Sequence, residues 1–136
     1  MLDRTSSVTA APTIYPMGSA GGTAALVTGT ANYVGTAVSL TGVHAAAVSF
    51  TVGNGSGTGA YTLAVEESST SGTSGFGTAS SVAWSRTAAI GTASDEVAVV
   101  GTYSGTASFL RAAVQVSGTP NFPISASVVR FPTGPV

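Results

Sequence analysis

The sequence predicts an all-β protein: a single β-sandwich of about seven to eight short strands, jelly-roll-like, with extended N- and C-terminal arms. Three observations carry that prediction. Short segments rich in Val and Thr recur along the chain and are broken by glycine. The stretch "AYTLAVEE" sets Tyr61, Leu63 and Val65 against Thr62, Ala64 and Glu66, the period of two that a half-buried strand requires. No segment carries a helical period: the best candidate, "FGTASSVAWSRTAAI" (Phe76–Ile90), is diluted by Ser and Thr and reads as a loop with one turn. Pattern alone does not separate a jelly-roll strand order from an immunoglobulin-like one.

Residues 1–22 are rich in Ser, Thr, Ala, Pro and Gly. Pro12 and Pro16 discourage helix, and Gly18, Gly21 and Gly22 loosen the end of the segment. It reads as an extended arm, disordered alone and ordered along a neighbour. The sandwich spans residues 23–131, and residues 132–136, with Pro132 and Pro135, form a short tail.

Within the sandwich, strands are expected at Ala24–Thr30, Asn32–Leu40, Val43–Val52, Ala60–Glu67, Glu96–Tyr103, Ala107–Val116 and Phe122–Phe131. In the last of these, Ile124, Ala126 and Val128 share one face. Ser68–Gly75, "SSTSGTSG", reads as a flexible polar loop. "GSGTGA", Gly55 to Ala60, matches the glycine spacing of a dinucleotide-binding turn. That turn works because a helix N-terminus comes next and aims its amides at a pyrophosphate. In this chain a strand comes next, with no lysine after the glycines, so Gly53–Gly59 reads as a β–turn–β tip, facing either solvent or a neighbour.

The 136 residues are the length of one domain. Only 7% are charged (Asp3, Arg4, Glu66, Glu67, Arg86, Asp95, Glu96, Arg111 and Arg130), and there is no lysine. Soluble domains average about 25%. A net charge of -1 cannot neutralise a row of phosphates, so nucleic-acid binding is not expected. Weak self-repulsion points instead to a surface that is covered in the working state. The apolar residues are mostly Ala and Val, which predicts a core of modest stabilising power.

The absence of cysteine removes disulfides, thiolate metal sites and thiol nucleophiles. "MLDRTSSVTA" has no apolar run of a signal peptide, and no run of about 18 apolar residues suggests a membrane helix. Neither a signal nor aromatic girdles point to an outer-membrane barrel.

Each candidate for chemistry has a plainer reading that is preferred. His44, the single histidine, stands in a predicted strand beside Ala45–Ala47 and reads as an edge or interface residue. A triad with Asp95 and a serine lacks the nucleophile elbow. Glu66–Glu67 and Asp95–Glu96 are adjacent carboxylate pairs that would have to converge to bind calcium or cleave a glycoside. Adjacent strand residues face opposite ways, so each pair reads as a solvated strand end. Trp84 with Phe76, or Tyr61 with Tyr103, would make a sugar-stacking platform, but packing is the simpler role. Asn54 opens a glycosylation sequon without a secretory signal, and Arg111 is expected to pair with a carboxylate in the chain or across an interface. No catalytic, cofactor or metal residue is assigned.

Three segments in order carry a family resemblance. "VSFTVGNGSG" followed by "YTLAVEES" gives an apolar strand, a Gly-rich turn and a strand ending in acid and Ser. A Gly/Ser/Thr loop then reaches Trp84, and "VVGTYSGTASFLRAAVQVSG" leads a "G-x-Y-x-G" turn into Phe109, Leu110 and Arg111. Together they make Val43–Arg130 resemble the head decoration (cement) proteins of tailed bacteriophages. The loop lacks the Asp-Gly common in such proteins, and the chain carries less charge than they do. The resemblance implies a virion structural protein that binds the outer surface of the capsid, partnered by the major capsid protein and by itself as a homotrimer or homodimer. It would be made in the host bacterial cytoplasm, have no cofactor and touch neither nucleic acid nor membrane. The alternative is a phage tail or fibre component, or a receptor- or carbohydrate-binding sandwich.

Overall fold

The computed structural model describes residues 9–14, 25–28, 32–53, 56–91 and 97–132. Among them are eleven strands and no helix: β1 (Thr9–Ile14), β2 (Ala25–Thr28), β3 (Tyr33–Val34), β4 (Val38–Ser39), β5 (Val43–Val52), β6 (Ser56–Ser68), β7 (Gly77–Thr78), β8 (Val82–Trp84), β9 (Ala89–Gly91), β10 (Val97–Tyr103) and β11 (Phe109–Pro132). They form one curled antiparallel sheet whose main path runs β7-β6-β11-β5-β10-β8.

The organising element is a ribbon built on one very long strand. β5 pairs with the second part of β11, from Val52 opposite Ile124 onward, and β6 pairs with the first part, from Ser56 opposite Asn121 to Ser68 opposite Phe109. Between them the Gly53 amide donates to the Pro123 carbonyl at 2.9 Å. β5 and β6 therefore run as one line antiparallel to β11, with a one-residue shift in register at the join. The sequence-based expectation of a turn at Gly53–Gly59 is corrected here: Gly57, Thr58 and Gly59 are rungs of the ladder, opposite Pro120, Thr119 and Gly118. The two strands expected at Ala107–Val116 and Phe122–Phe131 are likewise one strand. Asn54 and Gly55 lie outside the described residues, and the sequon falls with them.

A straight strand of 24 residues would be roughly 80 Å long. β11 is instead curled until its ends meet. Ser39 pairs with Phe109 at its start, and Arg130, near its end, donates from Nη1 to the Ser39 carbonyl at 3.2 Å. The bend is placed by glycine. Gly59 (φ 117°) and Gly118 (φ 80°) oppose each other, both in the region that side chains avoid. A β-carbon on Gly118 would lie 2.8 Å from the Gly59 Cα and from the Thr58 carbonyl. Only paired glycines let the backbones approach this closely and turn together.

Inside the curl, β5 sends Ala46, Val48, Phe50 and Val52 inward, and β10 alternates strictly, burying Val97, Val99, Gly101 and Tyr103. Ile124, Ala126 and Val128 do share the buried face, as alternation requires. The largest fully buried side chains include Tyr103, Phe50, Phe122, Leu63 and Leu110, so the core is richer than the Ala/Val composition suggested. Tyr61 stacks on Phe122 across the bend, centroids 3.7 Å apart and planes at 17°.

Part of the expected N-terminal arm is in the sheet: β1 pairs with β11 from Thr9 opposite Arg130 to Ile14 opposite Ala126. The rest of residues 1–22, and residues 133–136 of the tail, lie outside the described residues. The Phe76–Ile90 region holds three short strands rather than a loop with one turn. The Ser68–Gly75 loop, expected to be flexible, is bonded to itself. The buried Ser68 hydroxyl donates to the Ser74 carbonyl at 2.7 Å and accepts from the amides of Thr70 and Ser71.

Candidate interaction surface

The curl closes at one end through two facing rows. Tyr103, Ala46 and Arg130 lie side by side on β10, β5 and β11. Glu67, Leu110 and Val38 lie side by side on β6, β11 and β4. The apolar middle is bracketed by polar clips. On one side the Tyr103 hydroxyl donates to the Glu67 carboxylate and accepts from the Ala107 amide at 3.0 Å. On the other, Arg130 reaches the Ser39 carbonyl, while its buried Nε has no hydrogen-bond partner among the described residues. Gly105 packs against the Tyr103 ring, where any β-carbon would overlap the hydroxyl. Burial first, then the hydrogen bond to Glu67, pushes the Tyr103 hydroxyl pKa above its ordinary value of 10.0. Burial alone pushes Tyr61 up to about 12. Beside Tyr103, a cleft of about 170 Å³ opens between Leu40–Ala45 and Gly105–Ser108.

The adjacent carboxylates Glu66 and Glu67 point to opposite faces, as strand geometry requires. Glu67 belongs to the inner clip. Glu66 lies outside, where Nε and Nη2 of Arg111 both reach its Oε2 at 2.6 Å. Arg111 also covers the Phe76 ring, 4.1 Å from its centroid. The carboxylate expected for Arg111 is thus supplied by the directly opposed residue of the neighbouring strand.

Neither aromatic platform forms. Tyr61 and Tyr103 are 3% and 1% exposed, too buried to meet a sugar. The Trp84 ring lies 6.0 Å from Phe50, against the core, and Phe76 is taken by Arg111. Asp95, Glu96 and the His44 side chain lie outside the described part, so the triad, the second carboxylate pair and the edge reading of His44 fall there too. Among the described residues no group of three His, Asp or Glu is placed to hold a metal. Sequence reasoning missed the Tyr103–Glu67 clip. Its one local signal is the glycine two residues after Tyr103, which leaves room for the ring.

The outer face of the second half of the ribbon is different in kind. β5 presents Ala47, Ser49 and Thr51 outward, and β10 presents Ala98, Val100 and Thr102. β11 adds Ser125, Ser127 and Val129, and the edge strand β8 adds Ala83. No charged side chain stands on this face among the described residues. Of the described charges, Glu66 and Arg111 are paired, Glu67 and Arg130 are engaged at the closed end, and Arg86 alone is exposed.

No family model, curated protein or solved structure matches the chain. No helix of the described residues is long and apolar enough to cross a membrane.

Proposed function

We propose that this chain is a non-enzymatic structural protein of a phage virion, a decoration protein seated on the outside of the capsid and stabilising capsomer junctions. The observation that carries the reading is the scarcity of free charge on the described surface, where Glu66, Glu67, Arg111 and Arg130 are all engaged within the chain and Arg86 alone is exposed. Such a surface lacks the repulsion that keeps dissolved proteins apart, and it loses little on desolvation when a neighbour covers it. The resemblance of Val43–Arg130 to phage cement proteins supports the same reading. In it the curled sheet packs as a two-layer, jelly-roll-like sandwich, and residues 1–22 contribute capsid contacts. Its partners are the major capsid protein and further copies of itself, and it works in the virion after synthesis in the host cytoplasm.

The mechanism is added interface. A standard protein contact buries about 1,600 Å² in total, and the same contact repeated over a shell raises the free energy needed to part its capsomers. A glycan-binding role has less support, because Tyr61 and Tyr103 are buried, Trp84 packs beside Phe50 and Phe76 lies under Arg111. The test is mass spectrometry of purified virions before and after labelling with a reagent that does not enter intact heads. The reading predicts the chain in virions at high copy and labelled at full extent. Its absence from virions, or its presence only in tails, refutes the assignment.

A further inference from the structure

The cleft of about 170 Å³ beside Tyr103 opens where β11 runs out. One wall is Leu40, Thr41, Val43 and Ala45, and the other is the segment from Gly105 to Ser108. The first wall is a tight turn, closed by the Val43 amide on the Leu40 carbonyl at 3.0 Å, with Gly42 at φ 73°. The hydroxyls of Thr106 and Ser108 line the cleft without a hydrogen-bond partner among the described residues. Pro132, the last residue of β11, stands opposite Val43. Because β11 is antiparallel to β5, the strand direction beyond Pro132 leads past Val43 to Gly42, Thr41 and Leu40. The chain is thus delivered to the cleft along one of its own walls.

The geometry points to residues 133–136 of the same chain as the occupant of this cleft, a plug laid over the closed end of the curl. This holds whether or not the chain sits on a capsid. Position selects the occupant: the segment begins at the cleft wall, and four extended residues reach at most about 14 Å, enough to lie along the cleft. Joined directly to β11, it is present at an effective concentration in the millimolar range or above, so contacts too weak to hold a separate molecule are enough. Its chemistry suits the walls. The backbone carbonyls of the segment can accept from the Thr106 and Ser108 hydroxyls, and Pro135 and Val136 offer apolar surface to Leu40 and Val43. Pro135 also lowers the entropy lost on ordering. Seated there, the segment covers the bond from the Ala107 amide to the Tyr103 hydroxyl, which borders the cleft.

The chain has no cysteine, so a single introduced thiol reports on the cleft alone. Thr106→Cys and, independently, Ser108→Cys are each made in the full chain and in a chain ending at Pro132, and their rates of reaction with a dithiobis-nitrobenzoate reagent are compared. Loss of residues 133–136 should speed the reaction at both positions by on the order of fivefold or more. Thr51→Cys, exposed on the outer face of β5, should react at the same rate in both lengths. Far-UV circular dichroism identifies a variant that fails to fold, and either cleft thiol alone suffices. Equal rates with and without residues 133–136 would overturn the plug. Protection that grows with protein concentration would mean that the segment of a second copy fills the cleft, and that also overturns it.

Discussion

Gly59 and Gly118 face each other in the β6–β11 ladder, and neither has room for a β-carbon. The bend they permit brings the ends of β11 together, and with them the Tyr103–Glu67 and Arg130–Ser39 contacts.

Replacing Gly118 by Ala should therefore be among the most damaging single-methyl changes in the chain. Positive φ disfavours Ala by about 1–3 kcal/mol, and the clash with the opposed backbone adds to that. Gly77→Ala is the control, since Gly77 has open space where a β-carbon would lie and no positive φ. Urea unfolding should show a loss of at least about 2 kcal/mol for Gly118→Ala and a change within about 0.5 kcal/mol for Gly77→Ala.

The Tyr103 hydroxyl serves two partners at once. Tyr103→Phe keeps the ring but leaves the Glu67 carboxylate and the Ala107 amide short of a bond, a loss of about 1–3 kcal/mol. In a double-mutant cycle with Glu67→Ala, which removes the acceptor, the coupling should exceed about 0.5 kcal/mol. Additive effects would mean the hydroxyl does not tie β10 to β6.

Alkali should unfold the protein through its buried tyrosines. The folded state holds the Tyr61 proton up to about pH 12 and raises Tyr103 as well, whereas unfolded tyrosine releases its proton near 10.0. A raised folded pKa gives stability that is complete below the unfolded value and is lost as pH climbs toward the folded one. Unfolding free energy should be flat up to about pH 9 and fall between about 10 and 12, by up to about 1.4 kcal/mol per pH unit from Tyr61, with Tyr103 acting in the same direction. Tyr61→Phe, which retains the stack on Phe122, should make that fall shallower.

The outer ion pair should matter less than the inner clip. Arg111 and Glu66 are 22% and 17% exposed, so water screens part of their attraction. Arg111→Met, which keeps contact with Phe76, should destabilise by under about 1 kcal/mol in urea unfolding.

The features legible in the sequence were those that depend on neighbours along the chain. β5 falls at Val43–Val52 as its Val-rich pattern indicates, and Tyr61, Leu63 and Val65 face inward as period two requires. The features that escaped depend on partners far away. The glycines at 57 and 59 look like a turn until Pro120 and Gly118 are found opposite them, because bending and reversing use the same residue. Strands β7, β8 and β9 are two or three residues long, too short for any period to register. Glu67 and Tyr103 are 36 positions apart, and nothing local announces that they meet. The charge-free face was foreshadowed by composition, but its position required the register of β5, β10 and β11.

The central claim, that the chain covers and stabilises a capsid, is tested most directly by mixing the purified protein with undecorated phage shells and sedimenting them. The account predicts saturable co-sedimentation at a fixed number of copies per shell, with a higher disruption temperature for the decorated particles. Protein that remains in the supernatant at every concentration would contradict it.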